Sequence, residues 1–249
     1  MDTSQSVRFG DLTYQEIHAH AEQGWLAIVP MGCTEQQGPH LPVDFDTWFA
    51  ETLMIAAAEQ AARETGIHAL VLPALPFGPT PEHCNYRAGY IDLPVELHAA
   101  VTLATLESLA RQGFQRIIVW RGCGGHDLQN VIENFNAIHK GSAEAILPEL
   151  PFYSIWCQVG DPHVPAGHAD SFTTSISLYL RPKSVRREMI VNPHSQQVDW
   201  HDPHLDFTRY SSTGVVGDPT YSSAGLGSKL WVESINQTVL ILKGIAAQT

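Results

Sequence analysis

The sequence has 249 residues, and its 14 Lys and Arg against 26 Asp and Glu give a formal net charge of −12. Surfaces that bind nucleic acid or anionic membranes need clustered positive charge, so we expect neither partner. Charged residues make up only 16% of the chain and hydrophobic residues 44%, so the chain can bury a large core and is not expected to be disordered.

Apolar runs typical of buried strands alternate with helical patterns along the chain. This alternation favours a mainly parallel sheet flanked by helices, an α/β three-layer sandwich, and we expect one domain over residues 1–249. In chain order, the predicted strands are Trp25–Pro30, His68–Leu75, Arg116–Trp120 and Leu150–Cys157. The predicted helices are Asp46–Glu64, Pro94–Gln112, Gly125–Lys140, Ser171–Leu180 and Lys229–Ala247.

The cysteines and the first residues bear on the cellular compartment. The four cysteines (Cys33, Cys84, Cys123 and Cys157) form no CxxC pair, which is typical of reduced cytosolic thiols. Residues 1–5 lack the basic segment of a secretory signal, and no run approaches the roughly 18 apolar residues of a membrane span. We therefore expect a cytoplasmic protein. The 13 histidines favour a site that handles metals or protons, with ordinary surface and core positions as the alternative.

Active sites of parallel sheets lie at the carboxyl ends of the strands, and polar segments follow the first and third predicted strands. Glu35, His40 and Asp46 follow the first, a combination typical of metal binding; a solvated loop with a helix cap at Asp46 is the alternative. Cys123 follows the third, within Gly122–Gly125, at the start of a predicted helix whose field would lower the pKa of the thiol. A glycine turn around an inert buried cysteine is the alternative.

Two later segments also carry candidate residues. His168 precedes the helix predicted to begin at Ser171 and suits a general acid, whereas Asp170 or Ser171 suits a helix cap. Glu82 and His83 are adjacent and are expected to support the site or the fold rather than to form a site of their own. Aromatic side chains near the strand ends could form the wall of a pocket, although such residues are more often core: Tyr90, Trp120 and Trp156.

Five segments occur in a specific order: Glu35–Pro42 with Asp46, Phe77–His83, Gly122–Gly125, Gly167–Ala169 with Thr174–Ser175, and Gly214–Pro219. In these segments the chain resembles the creatininase (creatinine amidohydrolase) family, over residues 25 to 245. The resemblance implies an α/β sandwich, a homo-oligomer that is often a hexamer, and a two-metal site of zinc or manganese that hydrolyses small, frequently cyclic amides. It also implies metal-ligand roles for Glu35 and Asp46, an active-site role for His168 and a pocket role for Trp156.

The chain departs from the family pattern at three ligand positions. Gln37 and Cys123 stand where histidines are usual, and Ser171 stands where a carboxylate is usual. Because amide and hydroxyl groups are weak ligands, we expect one zinc or manganese ion per chain, with no metal as the alternative. The expected ligands are Glu35, Asp46, Cys123 and His40, with Asp170 or His126 as alternatives for a missing one.

Three functions are compatible with this sequence. The first is a metal-dependent hydrolase that opens a small cyclic substrate, most simply a cyclic amide (lactam), with carbon–carbon cleavage of a keto-inositol (inosose) as the alternative. Its catalytic residues would be Glu35, Cys123 and His168, with His168 protonating the leaving group. The second is a metal-free amidase with Cys123 as nucleophile, and the third is a non-catalytic homologue. The expected substrate contacts are Trp156, Arg121, His126 and Tyr90.

Overall fold

Four parallel strands form the centre of the structure, a computed structural model that describes residues 6–248. Residues 1–5, which contribute to the cytoplasmic expectation, lie outside the described residues. The strands are β1 (Leu26–Met31), β2 (Ala69–Val71), β3 (Arg116–Arg121) and β4 (Glu144–Ile146), and they lie side by side in the order β2–β1–β3–β4.

Helices cover both faces of the sheet, as the predicted sandwich requires. Neighbouring side chains of a strand point to opposite faces, so Ile28 of β1 enters one core and Val29 enters the other. The helices α2 (Phe45–Thr65), α5 (Phe152–Val159), α6 (Ser171–Leu180) and α7 (Ala224–Ala246) cover one face, and α1 (Tyr14–Glu22), α3 (Val95–Arg111) and α4 (Gln129–Ile138) cover the other. The predicted fold class is therefore confirmed. Within residues 6–248, no helix is both long and apolar enough to cross a membrane.

The strand predicted at Leu150–Cys157 is wrong, because this segment forms α5. A short apolar run cannot by itself distinguish a buried strand from a buried helix. Pro151 occupies the N-cap position of α5, and the helix buries Ile155 and Trp156 in the core that it shares with α7. The fourth strand of the sheet is instead β4, which precedes this segment.

The helix predicted to begin at Gly125 begins later, at the start of α4. The preceding residues form a glycine loop in which Gly124 and Gly125 are exposed, and Arg121 Nη1 donates a hydrogen bond to the backbone carbonyl of His126 at 3.1 Å, which holds this loop. Cys123 therefore lies outside the first turn of α4. The prediction that Cys123 lies at the start of a helix is wrong.

The register of the sheet brings two cysteines together. Met31 of β1 pairs with Arg121 of β3, so the dipeptides Gly32-Cys33 and Gly122-Cys123 that follow lie on neighbouring strand ends. Both glycines allow close packing: a Cβ at position 32 would collide with the backbone of α2, and one at position 122 would lie 2.7 Å from the carbonyl oxygen of Asp46. The strand ends therefore contact the first turn of α2.

Candidate active site

A cavity of about 680 Å³ opens at the carboxyl ends of β1 and β3, which is within the usual size of a small-molecule site. Its polar side chains are Glu35, Gln37, Asp46, Glu82, His83, Cys123, His168, Asp170 and Thr173. Its aromatic side chains are Phe45, Phe49, Phe152, Tyr153, Trp156, Phe172, Trp200 and Phe207. No Lys or Arg is among the described residues that line it. The cavity therefore combines an aromatic wall with acidic groups that no lining cation neutralises.

Nine residues were assigned catalytic, metal-ligand or substrate-contact roles from the sequence; five of them line this cavity, and four do not. Those that line it are Glu35, Asp46, Cys123, Trp156 and His168. Those that do not are His40, Arg121, His126 and Tyr90.

The four residues outside the cavity have other neighbours. His40 is fully buried, and its Nε2 lies 2.8 Å from Thr174 Oγ1. Arg121 supports the glycine loop, and Tyr90 is half-buried. His126 is fully buried with its Nε2 2.9 Å from Cys33 Sγ. The geometry thus does not support direct substrate contacts for Arg121, His126 and Tyr90, or a metal-ligand role for His40 in this cavity.

Glu35 occupies the centre of the polar part of the cavity. It is 3% exposed, and its Oε1 lies 3.5 Å from His83 Nε2 and 3.5 Å from His168 Nδ1. The side-chain amide of Gln37 donates to Asp46 Oδ2 at 3.0 Å and contacts Glu35 Oε1 at 3.4 Å. One carboxylate oxygen and two imidazole nitrogens therefore lie within 4.8 Å of one another, close to a second carboxyl.

Burial sets the protonation states of the two carboxyls and two imidazoles of this cluster. It raises the pKa of Glu35 well above its usual value and that of Asp46 to about 7, because the charged carboxylates lose their hydration. It lowers the pKa of His83 to about 2 and that of His168 to about 4, so both imidazoles are neutral at pH 7. A bound cation would stabilise the ionised form of these desolvated carboxyls. Neutral imidazoles can bind the same cation through a nitrogen lone pair.

Gln36 determines which nitrogen of His168 carries the hydrogen. His168 Nε2 lies 2.6 Å from the backbone carbonyl oxygen of Gln36, and a carbonyl oxygen only accepts hydrogen bonds. Nε2 therefore carries the hydrogen, and Nδ1 presents its lone pair to Glu35. A histidine fixed in this way by a backbone carbonyl is typical of a metal ligand.

The side chain of Gln36 gives His83 the opposite role. Its Oε1 accepts from the backbone N–H of Gly38 at 2.9 Å, and its Nε2 donates to the carbonyl of Gly214 at 3.0 Å. The same side-chain nitrogen of Gln36 lies 3.0 Å from His83 Nδ1. Because an amide nitrogen only donates hydrogen bonds, His83 Nδ1 must be the acceptor. His83 Nε2 therefore carries the hydrogen, and this N–H faces Glu35 and Glu82. One histidine thus presents a lone pair and the other an N–H.

Four residues of this region were not predicted from the sequence to form the site. Glu82 and His83 were expected to be supporting or structural groups, yet both line the cavity; Gln36 and Cys33 were not considered. A signal for Cys33 was present, because Gly-Cys dipeptides follow both the first and the third strand. No local pattern reveals Gln36, since its role depends on distant histidines.

Curated relatives of the chain are hydrolases by name. A mycofactocin precursor peptide peptidase of Mycolicibacterium smegmatis is 28% identical over 234 residues, which cover 91% of this chain and 87% of that protein. The peptidase of the same name from Mycobacterium tuberculosis is 31% identical over 221 residues, covering 85% and 82%. A 3-dehydro-scyllo-inosose hydrolase of Thermotoga maritima is 28% identical over 203 residues, covering 77% of this chain and 62% of that protein.

Solved structures share the fold of the chain. A creatinine amidohydrolase-like protein from Bacteroides fragilis has a TM-score of 0.84 at 19% identity, covering 98% of both chains. A manganese creatininase and a zinc form of a creatininase mutant have TM-scores of 0.83 and 0.81 at 20% identity, covering 96% of this chain and 98% of each of those chains. The family model described as creatinine amidohydrolase matches residues 10–242. The chain therefore belongs to the creatininase family of hydrolases.

Proposed function

We propose that this chain is a metal-dependent hydrolase that cleaves the C–N bond of a small amide bearing an apolar ring, most simply a cyclic amide. The observation that carries the proposal is the carboxylate–imidazole group around Glu35, which lies in a cavity walled by aromatic side chains. The family membership and the amide-cleaving relatives agree with this chemistry.

The donor set fits a divalent cation. Glu35 and Asp46 offer carboxylate oxygens and His168 offers the lone pair of Nδ1, which are donors that zinc and manganese accept. These three residues would hold the ion. Such an ion supplies a Lewis acid that polarises an amide carbonyl and makes water a stronger nucleophile.

Glu82 is the proton carrier in this proposal, in place of the His168 expected from the sequence. Hydrolysis breaks the C–N bond, forms a C–O bond to the oxygen of water and moves one proton of water to the leaving nitrogen. Burial raises the pKa of the Glu82 carboxyl, so it can accept that proton from water and pass it to the leaving nitrogen. Glu82 Oε1 lies 3.7 Å from His83 Nε2, and the N–H of this neutral imidazole positions the carboxyl.

The aromatic wall favours an amide over a keto-inositol. A keto-inositol carries hydroxyl groups around its ring and needs many hydrogen-bonding partners, whereas most of the wall is formed by Phe and Trp side chains. A terminal peptide bond next to an apolar side chain is the second candidate substrate. The peptidase names of the relatives at 28% and 31% identity support it.

A metal-free mechanism with Cys123 as nucleophile receives less support. The hydrogen-bond partner of its thiol is Glu35 Oε2 at 3.9 Å, and not a histidine that could act as its general base. The helix N-terminus that was expected to stabilise the thiolate is also absent from this position.

Removal and restoration of metal test the proposal. Bound metal is measured by elemental mass spectrometry, the protein is treated with a chelator, and zinc or manganese is added back. The assay panel contains lactams, peptides with an apolar terminal residue and a keto-inositol. We expect turnover of an amide that is lost with the metal and restored by it, with one atom from ¹⁸O-labelled water in the new carboxyl group. Turnover that survives metal removal, or cleavage of the keto-inositol alone, would contradict the proposal.

Replacing Gln36 by Leu tests the assignment of the two histidines. Loss of the amide frees His83 to change tautomer, and we expect kcat to fall by about 10- to 100-fold, the usual effect of losing such a supporting hydrogen bond. Nitrogen NMR of the imidazoles should show the change at His83. Gln129→Leu, on the exposed surface of α4, is the matched control and should leave kcat unchanged. Unchanged kcat and NMR spectra in Gln36→Leu would refute the assignment.

The state of assembly stays a prediction. We propose a homo-oligomer, with the hexamer implied by the family resemblance. Apolar side chains exposed on α3 support burial of this helix against another subunit: Val95, Leu97 and Val101.

A further inference from the structure

We propose that Cys33, Cys123 and His126 form a second metal site, which binds a thiophilic divalent ion such as zinc beside the Glu35 group. This site is separate from the ion of the proposed function, and it contains two residues, Cys33 and His126, that do not line the cavity.

The fold brings the two sulfur atoms together from segments far apart in sequence. Met31 and Arg121 are the last paired residues of β1 and β3, and the two Gly-Cys dipeptides directly follow this pair on neighbouring strands. Neighbouring strands lie about 4.8 Å apart, so equivalent side chains at their ends are close enough to bind one ion. His126 reaches the same point from the glycine loop that follows β3.

The geometry of the three donors fits a metal site. Cys33 Sγ lies 2.9 Å from His126 Nε2, and the three donor atoms all lie within 4.8 Å of one another. Cys33 and His126 are fully buried, and Cys123 is 9% exposed. Two thiolates and one imidazole are a common zinc-binding combination, with bonds of about 2.3 Å to sulfur and about 2.0 Å to nitrogen. Small shifts of the side chains would therefore complete the coordination.

The surroundings of His126 provide an independent indication. A Cβ at residue 78 would collide with the imidazole ring of His126. The ring fits in this position because residue 78 is glycine. Within the described part of the chain, His126 Nδ1 has no hydrogen-bond partner, and the hydrogen-bond partner of Nε2 is the Cys33 thiol. A neutral thiol is a weak partner for a buried imidazole, whereas a metal ion would use its lone pair fully.

The site also has an open side. Cys123 is the one member of the group that lines the cavity, and its Sγ lies 3.9 Å from Glu35 Oε2. Three protein ligands with one open position are typical of zinc that contacts a substrate or water, whereas four ligands are typical of structural zinc. Binding requires both thiols to lose their protons, so protons should be released as the ion binds.

Cobalt substitution tests the proposal on the full chain. The reduced, metal-free protein is titrated with Co²⁺, and absorption from thiolate-to-cobalt charge transfer is recorded together with the number of ions bound. We expect two ions per chain and a thiolate band that zinc removes by competition. In Cys33→Ser and His126→Asn, we expect the loss of one ion and of the band, with affinity weakened by at least about 100-fold.

Three further samples make the test decisive. Cys157→Ser changes an exposed cysteine and should keep the band, and Glu35→Gln should keep the band while it loses the other ion. Gly78→Ala retains every ligand but displaces His126, so it should also weaken the band. If a variant does not fold, X-ray absorption of the zinc-loaded wild type should show an average of one sulfur ligand per zinc, because one of the two ions binds two sulfurs.

The proposal is overturned if the wild type shows no thiolate band, if Cys33→Ser keeps it, or if mass spectrometry finds Cys33 and Cys123 joined as a disulfide in the freshly prepared protein. Amide hydrolysis is not measured in this experiment. Absence of hydrolysis would therefore count only against the proposed function, and absence of the thiolate band only against the second site.

Discussion

Glu35→Gln is expected to lower kcat/KM for the amide substrate by about 10³-fold or more, equivalent to about 4 kcal/mol of transition-state stabilisation. The amide keeps the size of the side chain but removes the carboxylate that contacts His83 and His168. One ion per chain should be lost at the same time. Steady-state kinetics and elemental mass spectrometry on the purified variant measure both effects.

The same substitution should not destabilise the metal-free fold. Burial raises the pKa of Glu35, which means that the folded state disfavours the ionised form that the unfolded chain adopts at pH 7. A neutral amide avoids this cost, so we expect the Tm of the metal-free variant to equal or exceed that of the metal-free wild type. Glu51→Gln, at a part-exposed ion pair with Arg8, is the control for kinetics. Full activity in Glu35→Gln would show that this group is not the working site.

Most of the fold could be predicted because its elements carry strong local patterns. The apolar run of β1 and the long helical pattern of α2 differ from the structure by only one residue at each end. The α5 segment was misread because its apolar residues suit either a strand or a helix, and only packing against α7 decides. Helix α1 was not predicted, although Thr13 and Glu16 form a capping box at its start.

The candidate site was predictable only in part, because it depends on contacts between distant segments. Glu35, Asp46 and His168 follow recognisable family segments, and the structure brings all three to the cavity. The approach of His83 to Glu35 is set by Gln36, and the approach of Cys33 to Cys123 is set by strand register. Neither relation leaves a pattern within one short stretch of sequence.

The unusual ligand positions can be understood together. Gln37 stands where the family resemblance implies a histidine, and its amide group donates to Asp46 and contacts Glu35, so it supplies partial positive charge between the two carboxyls. On our proposal, the second ion binds instead toward Cys33 and His126, where donors of a different chemical class are available. The changes would then shift one metal position rather than remove it.

Gly227→Ala is expected to lower the free energy of unfolding by about 3 kcal/mol, the upper part of the usual cost of overpacking. Gly227 lies in α7 where this helix packs against α6, and an added Cβ would collide with the carbonyl oxygen of Ser175 and lie 2.9 Å from Tyr179 Cβ. Because the obstacle is backbone, one helix must move as a whole. Denaturant unfolding at equilibrium measures the change.

The matched control, Gly244→Ala, lies in the same helix but has no atom within 4 Å of an added Cβ. Alanine is about 1 kcal/mol more favourable than glycine within a helix, so this variant should be more stable than the wild type. Opposite signs for the two variants would show that steric contact with α6 outweighs helix propensity. Since Phe172 and Thr173 of α6 line the cavity, Gly227→Ala should also raise KM. Stabilisation by both substitutions would mean that Gly227 does not set the spacing of α6 and α7.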